Sequence, residues 1–380
     1  MHRPFLWTLT VLSLFTAPLG QEPTRVADQG DSQIATSLAD HQYNLQREGR
    51  RFLLDEADKN TFFLLGELHG DSEIPDLLRT LWPEMWKKGY RHVAAEISPW
   101  AAHQLEFVPA GKGPEVRGLW TKREAEDVHA PGNPGASVLW GCDMEEEQPE
   151  FLIRELATLN PADSNLKQMT QLTKDGYSRK LGPKLLELAK ASKGMADGPL
   201  SDVSLRESLL ATLDIENDRR GPDTKMSAQD KRERLMKQQF LTHFHHDSSP
   251  EASKVLLRFG RNHLHRGYDA RGISTLGNFI AEFAVAEGRS VFNVGAFGAG
   301  GKASLLGETW DADERQDEPA FALLAGSARY SATIFDLRPL RPLLHQIPQE
   351  KRTALQANLI YWADSYDALI CYKNVTPREP

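Results

Sequence analysis

Three segments of this chain repeat one pattern: a short apolar run, an abrupt polar stop, and a stretch with helical spacing. "TFFLLGE" at 61–67 gives way to a helix predicted over roughly 73–88, with Leu77, Leu78, Leu81 and Trp82 on one side. "RHVAAEI" at 91–97 precedes "PWAAHQLEF", and "ASVLWGCD" at 136–143 precedes "QPEFLIRELATL". Short, mainly apolar runs suit buried strands, and alternation with helices suits parallel pairing. The predicted fold is therefore α/β, a mostly parallel sheet flanked by helices.

The rhythm breaks between about 150 and 250. Leu, Lys, Glu and Arg dominate there, and "KLLELAKASKG", "LRESLLATLDIEN" and "DKRERLMKQQFLTHFHHD" read as helices. This segment is read as a helical insertion. Strands resume with "KVLLRFG", "SVFNVGAFG", "YSATIFDL" and "YDALICYK", with a helix predicted from Ser274 to Glu287.

The N-terminus carries one firm positive charge, an apolar stretch from Phe5 to Phe15, and then "TAPLG". That is the shape of a signal peptide over 1–20, and it predicts a secreted or periplasmic protein with no stable membrane insertion after its removal. Residues 21–40 read as a polar linker, although helical spacing sets in from Leu38 and runs to Ala57. Residues 41–380 read as one hydrolase-like α/β domain that contains the insertion. The net charge of −8 comes with no long basic run, which argues against nucleic-acid binding. Two cysteines, Cys142 and Cys371, each sit near the end of a predicted strand and read as unpaired core residues.

The polar stops fall at strand ends. Glu67 and His69 end the first run, Glu96 the second and Asp143 the third, while "KVLLRFGRNHLHRG" runs into His263 and His265. Ligand crevices in open α/β sheets lie at the carboxyl ends of strands. A carboxylate behind an apolar strand is costly unless paired. In extended chain, residues i and i+2 share a side, which groups Glu67 with His69 and His263 with His265. Gly66, Gly70 and Gly260 allow tight turns or close approach of a ligand. Plainer roles stand beside these: Glu67 as a helix cap, Asp143 as an acid at a helix start, and each histidine as a satisfied hydrogen-bonding residue. "HFHH" at 243–246 reads as a solvated helix face, because neighbours on a helix diverge. Arg261 and Arg266 are candidates to hold a substrate anion, with Asp143 and His265 beside them. Two histidines with carboxylates form a plausible ligand set for manganese, cobalt or zinc.

"GELH" at 66–69 and "GRNH" at 260–263 are both Gly-x-x-His, and Glu96 ends an intervening strand. This trio resembles the superfamily that joins Tiki and TraB-like metalloproteases, ChaN-type haem-uptake lipoproteins and erythromycin esterases. "GRNHLHRGYDARGISTLGNFIAEFAVAEGRSVFNVGAFG" resembles the second half of the esterase and ChaN branches, and "YDALICYKNVTP" the closing strand of the esterases. The likeness covers roughly 58–110 and 254–376. The esterases carry one more residue between Glu and His in the first motif, so "GELHG" is closer to the Tiki and ChaN forms. ChaN proteins are typically lipoproteins, and no cysteine follows the apolar N-terminal stretch.

The resemblance implies a hydrolase of esters, amides or peptides that uses an activated water. In a metal-dependent version His69 and His263 hold the ion, Glu96 is a third ligand or a partner behind the ligands, and Glu67 takes the proton. In a metal-free version His69 is the base, oriented by Glu67 or Glu96. The rival expectation is a haem- or iron-binding protein using the same histidines. No Gly-x-Ser-x-Gly elbow is present, which argues against an ordinary serine esterase.

Overall fold

The apolar runs assemble into one mixed sheet in a computed structural model that describes residues 25–133, 135–146, 148–192, 204–219, 224–247, 253–316 and 318–378. The strands are β1 (Gln42–Asn44), β2 (Phe62–Glu67), β3 (Tyr90–Ala95), β4 (Leu139–Gly141), β5 (Lys254–Gly260), β6 (Val291–Leu305), β7 (Glu308–Asp313), β8 (Ala332–Asp336) and β9 (Ala368–Tyr372). Their order is β1-β8-β9-β6-β2-β5-β3-β4, and β7 pairs with β6 outside that row. From β4 through β9 every pairing is parallel, and β8 runs against β9 and β1.

The continuous apolar character of β2 follows from cover on both sides. Phe63 and Leu65 pack into one core layer, and Phe62 and Leu64 into the other. The chain leaves β2 through the helix Glu73–Lys87 to β3 and β4, then passes through the helical insertion. It returns as β5, which slots between β2 and β3. Glu67 therefore lies opposite Gly260, and Ala95 opposite Arg258. The polar ends of three strands distant in sequence become neighbours.

Among its described residues the insertion holds helices and no strand, as expected, and ends in the long helix Lys225–His246. One face of that helix carries Met236, Phe240 and Phe244 into the core, where Phe240 and Phe244 meet Phe62.

Three expectations need correction. Residues 25–40, assigned to a linker, form the helix Arg25–Asp40, and Ile34 and Leu38 are buried in the core. The helix expected from Leu38 to Ala57 is divided, because β1 intervenes before the helix Glu48–Lys59 and pairs with the edge strand β8. "HFHH" is not wholly solvated: His243 is buried, stacked on Trp140, with Nε2 3.1 Å from the Gly141 carbonyl oxygen. His245 and His246 are exposed. Cys142 and Cys371 are free and buried, as expected. The signal-peptide segment 1–20 lies outside the described residues. Among the described residues no helix is long and apolar enough to cross a membrane.

Candidate active site

Glu67 is the last residue of β2 and His69 follows in the loop, so the i, i+2 relation holds. His69 Nδ1 lies 3.0 Å from Glu67 Oε1 and donates to it. The second oxygen of Glu67 accepts from Nε of Arg258 in β5. Arg258 shares this face because it lies opposite Leu65, two residues before Glu67. Its guanidinium stacks over Trp120 at 4.5 Å and lies 3.6 Å from Glu124. Burial pushes the Glu67 carboxyl up, but Arg258 and His69 together outweigh it and hold the group below the usual carboxylate range. Glu67 is therefore an anion that fixes the imidazole, with Nε2 directed away from it.

Glu96, just past β3, joins the two Gly-x-x-His motifs. Its Oε2 accepts from the backbone N of Gly260 at 2.6 Å and lies 3.7 Å from His69 Nε2. Its Oε1 lies 3.2 Å from His263 Nε2 and accepts from Arg232 at 2.9 Å. Gly260 is needed here for space: a Cβ would sit 2.5 Å from His69 Nε2 and 3.2 Å from Glu96 Oε2. The four residues singled out in the sequence, Glu67, His69, Glu96 and His263, form one continuous chain of contacts.

Three partners escaped the sequence reading. Glu233, on the long helix of the insertion, lies 2.6 Å from His263 Nδ1 and accepts from the backbone N of Leu276. Arg232 beside it binds Asp143 through Nε at 3.0 and 3.1 Å and also reaches Glu96 and Glu146. Arg258 is the third. A signal existed for each. Arg232 and Glu233 precede Met236, Phe240 and Phe244 at helical spacing on the buried stripe, and Arg258 is a lone charge inside an apolar strand.

These charges set the protonation pattern. Burial opposes charge on His263, but Glu96 and Glu233 prevail and raise it to about 10. Burial likewise opposes charge on His69, and Glu96 and Glu67 raise it above its ordinary value. Burial acts upward on Glu96, yet His263, His69 and Arg232 hold it well below the carboxylate range. Asp143 is pushed up by burial despite Arg232.

The other expected contacts lie elsewhere. Arg261 is tied to Glu314 at 2.6 Å and packs over Phe321. Arg266 is clamped on Asp367, and His265 is buried against Ser365 and Tyr361. None of the three lines the cavity beside His69. The i, i+2 argument fails for His263 and His265 because the chain coils at Arg261–Leu264 instead of staying extended.

That cavity has a volume of about 280 Å³ and is lined by the polar residues His69, Glu96, Ser98, Arg117, Asp143, Glu145, Glu146 and Arg232 together with apolar side chains. A divalent ion does not fit the donors as arranged. Glu96 already accepts from an amide, a guanidinium and an imidazole, and an ion there would sit beside Arg232 and compete with the proton on His263. Among the described residues no group of three or more His, Cys, Asp or Glu side chains is arranged to hold a metal. For haem, His263 has both ring nitrogens engaged by carboxylates, which leaves His69 as the histidine that could ligate the iron.

No family model matches the chain, and no curated protein matches it in sequence. Solved structures do share its fold. A Bacillus cereus protein aligns at a TM-score of 0.60 and 14% identity, over 91% of this chain and 98% of its own. A succinoglycan biosynthesis protein aligns at 0.58 and 14%, over 91% and 97%. An erythromycin esterase variant, EreC in its open conformation, aligns at 0.58 and 15%, over 88% and 95%. The fold of this chain is thus the one found in an erythromycin esterase.

Proposed function

We propose that the protein is an exported, metal-independent hydrolase of small-molecule or peptide esters or amides, with His69 as general base toward water. The observation that carries this reading is the Glu67–His69 pair, in which Nδ1–H is spent on Glu67 while His69 lines the cavity. The 3.7 Å separation of Nε2 from Glu96 exceeds a hydrogen bond, so Nε2 keeps its lone pair for a nucleophile. The fold shared with an erythromycin esterase supports the reaction class.

In this mechanism His69 Nε2 takes a proton from water as the oxygen attacks the scissile carbonyl carbon. The tetrahedral intermediate then expels its alkoxide or amine, which takes the proton back from Nε2. Arg258 keeps Glu67 ionised, and Glu67 stabilises the imidazolium formed midway. Arg232 and protonated His263 balance Glu96 and Asp143, so a buried acidic site avoids excess negative charge where an oxyanion must develop. Because the base must be neutral and its pKa is raised, activity rises with pH through values above about 6.5.

The test is a hydrolysis panel of 4-nitrophenyl esters and peptides, run beside a haem titration. His69→Ala is expected to lower kcat/KM by about a thousandfold and Glu67→Gln by about a hundredfold, with EDTA without effect. Activity lost to EDTA and restored by manganese, cobalt or zinc would replace the metal-free mechanism. An inactive protein that binds haem stoichiometrically, and loses it on His263→Ala, would establish the haem-binding rival.

A further inference from the structure

The longest strand, β6, does not stay in the sheet. Its register against β7 shifts between Ala299 and Lys302, where Gly300 and Gly301 adopt φ of 158° and 90°. A Cβ on Gly301 would lie 2.2 Å from the carbonyl oxygen of Val375, so the bend needs glycine. Beyond it, β6 and β7 form a hairpin. Leu305 pairs with Glu308, which leaves Leu306 and Gly307 as a two-residue turn. The backbone N of Ser304 donates to the Gly70 carbonyl oxygen at 2.8 Å, pinning the hairpin to the residue after His69.

Both turn residues have positive φ, 54° at Leu306 and 83° at Gly307. Asn or Asp followed by Gly is the usual solution for such a turn. Among the described residues Leu306 is the one non-glycine residue with positive φ. It is also 49% exposed, so its side chain gains little from the core. Strain at a residue that the fold does not reward points to a use. Leu306 lines the same cavity as His69 and Glu96, and Ile97, Leu119, Met144 and Leu305 line it too.

We infer that Leu306 is a specificity-determining residue that holds an apolar group flanking the scissile bond, so the preferred substrates are esters or amides with an apolar chain or ring beside the carbonyl. This rests on the hydrolase reading. The hairpin carries the contact to the edge of the site, and the bend at Gly300–Gly301 aims it.

The test uses Leu306→Gly and Leu306→Asn, which suit the left-handed backbone and remove the apolar side chain. Thermal melts and kinetics are measured on 4-nitrophenyl acetate and octanoate, and on ethyl and octyl acetate. Both variants are expected to melt at or above the wild-type Tm. Their kcat/KM ratio of long to short ester should fall roughly tenfold in at least one series, chiefly through KM. A lower Tm in both variants would assign Leu306 to the fold and overturn the inference. Unaltered long-to-short ratios in an active enzyme would overturn it while leaving the hydrolase reading intact. Wild-type protein that cleaves no ester would remove both.

Discussion

His263 and His265 stand two residues apart in "GRNHLHRG", yet they belong to different worlds. His263 is held between Glu96 and Glu233 and raised to about 10. His265 is buried against Ser365 and Tyr361, where desolvation lowers it to about 4. Around His265 the charges are closed on one another: Asp367 accepts from Arg266, Arg341 and the backbone N of Asn293. Around His69 and His263 the acids come from different strand ends and from the insertion, and His69 lines a cavity. The same residue types build a structural clasp in one place and a reactive arrangement in the other. What separates them is that the charges of the clasp are spent on one another, while His69 and Glu96 line a cavity.

The sharpest way to break that distinction is to remove Asp367. Asp367→Ala leaves Arg266 and Arg341 without their carboxylate and should cost about 3–5 kcal/mol of stability, read by urea denaturation. The kcat of whatever remains folded should be near wild type, and a selective loss of turnover would mean the clasp is part of the site. Gly260→Ala tests the other region. A Cβ there displaces His69 or Glu96, so turnover should fall about a hundredfold, equivalent to about 2.7 kcal/mol, while the circular dichroism spectrum is unchanged. Retention of full activity would show that His69 does not need its present position.

A smaller effect is expected at Glu233. Glu233→Gln keeps a hydrogen bond to His263 but removes the charge, so the His263 pKa followed by NMR should drop and kcat/KM should fall about tenfold. An unmoved His263 resonance would argue that Glu96 alone governs it. The smallest effect concerns His265. Its folded-state pKa is depressed, so protons favour the unfolded chain as pH falls below about 6.5, and the loss levels off below about 4. Between pH 7 and pH 6 the His265 contribution amounts to about 0.7 kcal/mol. His263 and His69, whose pKa values are raised, act in the opposite sense over this range, so the comparison is between proteins. Denaturation at pH 7 and pH 6 should show wild type losing more stability, or gaining less, than His265→Gln, and an identical change in both would place the acid sensitivity on another group.

Much of this site was legible in the chain, for reasons that differ by residue. Glu67 and His69 are neighbours in extended backbone, so their pairing needed no knowledge of the fold. Glu96 and Asp143 were conspicuous as carboxylates ending apolar runs. Arg261, His265 and Arg266 looked equally eligible and are not at the cavity, because the coil at Arg261–Leu264 turns alternate residues apart. Arg232 and Glu233 were hidden among the many charges of their helix. Only the apolar stripe that continues from them marks the face that is buried.

The sequence alone determined β2 to β6, β8 and β9, the mostly parallel character of the sheet and the Glu67–His69 pair, because periodicity and i, i+2 geometry are local and report directly on burial. The short edge strand β1 and the hairpin strand β7 carried no such signal. Tertiary structure decided which charges meet. The insertion of β5 between β2 and β3 brings Gly260 and His263 to Glu96, the long helix delivers Arg232 and Glu233, and the glycine bend in β6 carries Leu306 to the cavity. Strand order and helix docking depend on the packing of the whole core, so they leave no local trace in the residues they unite.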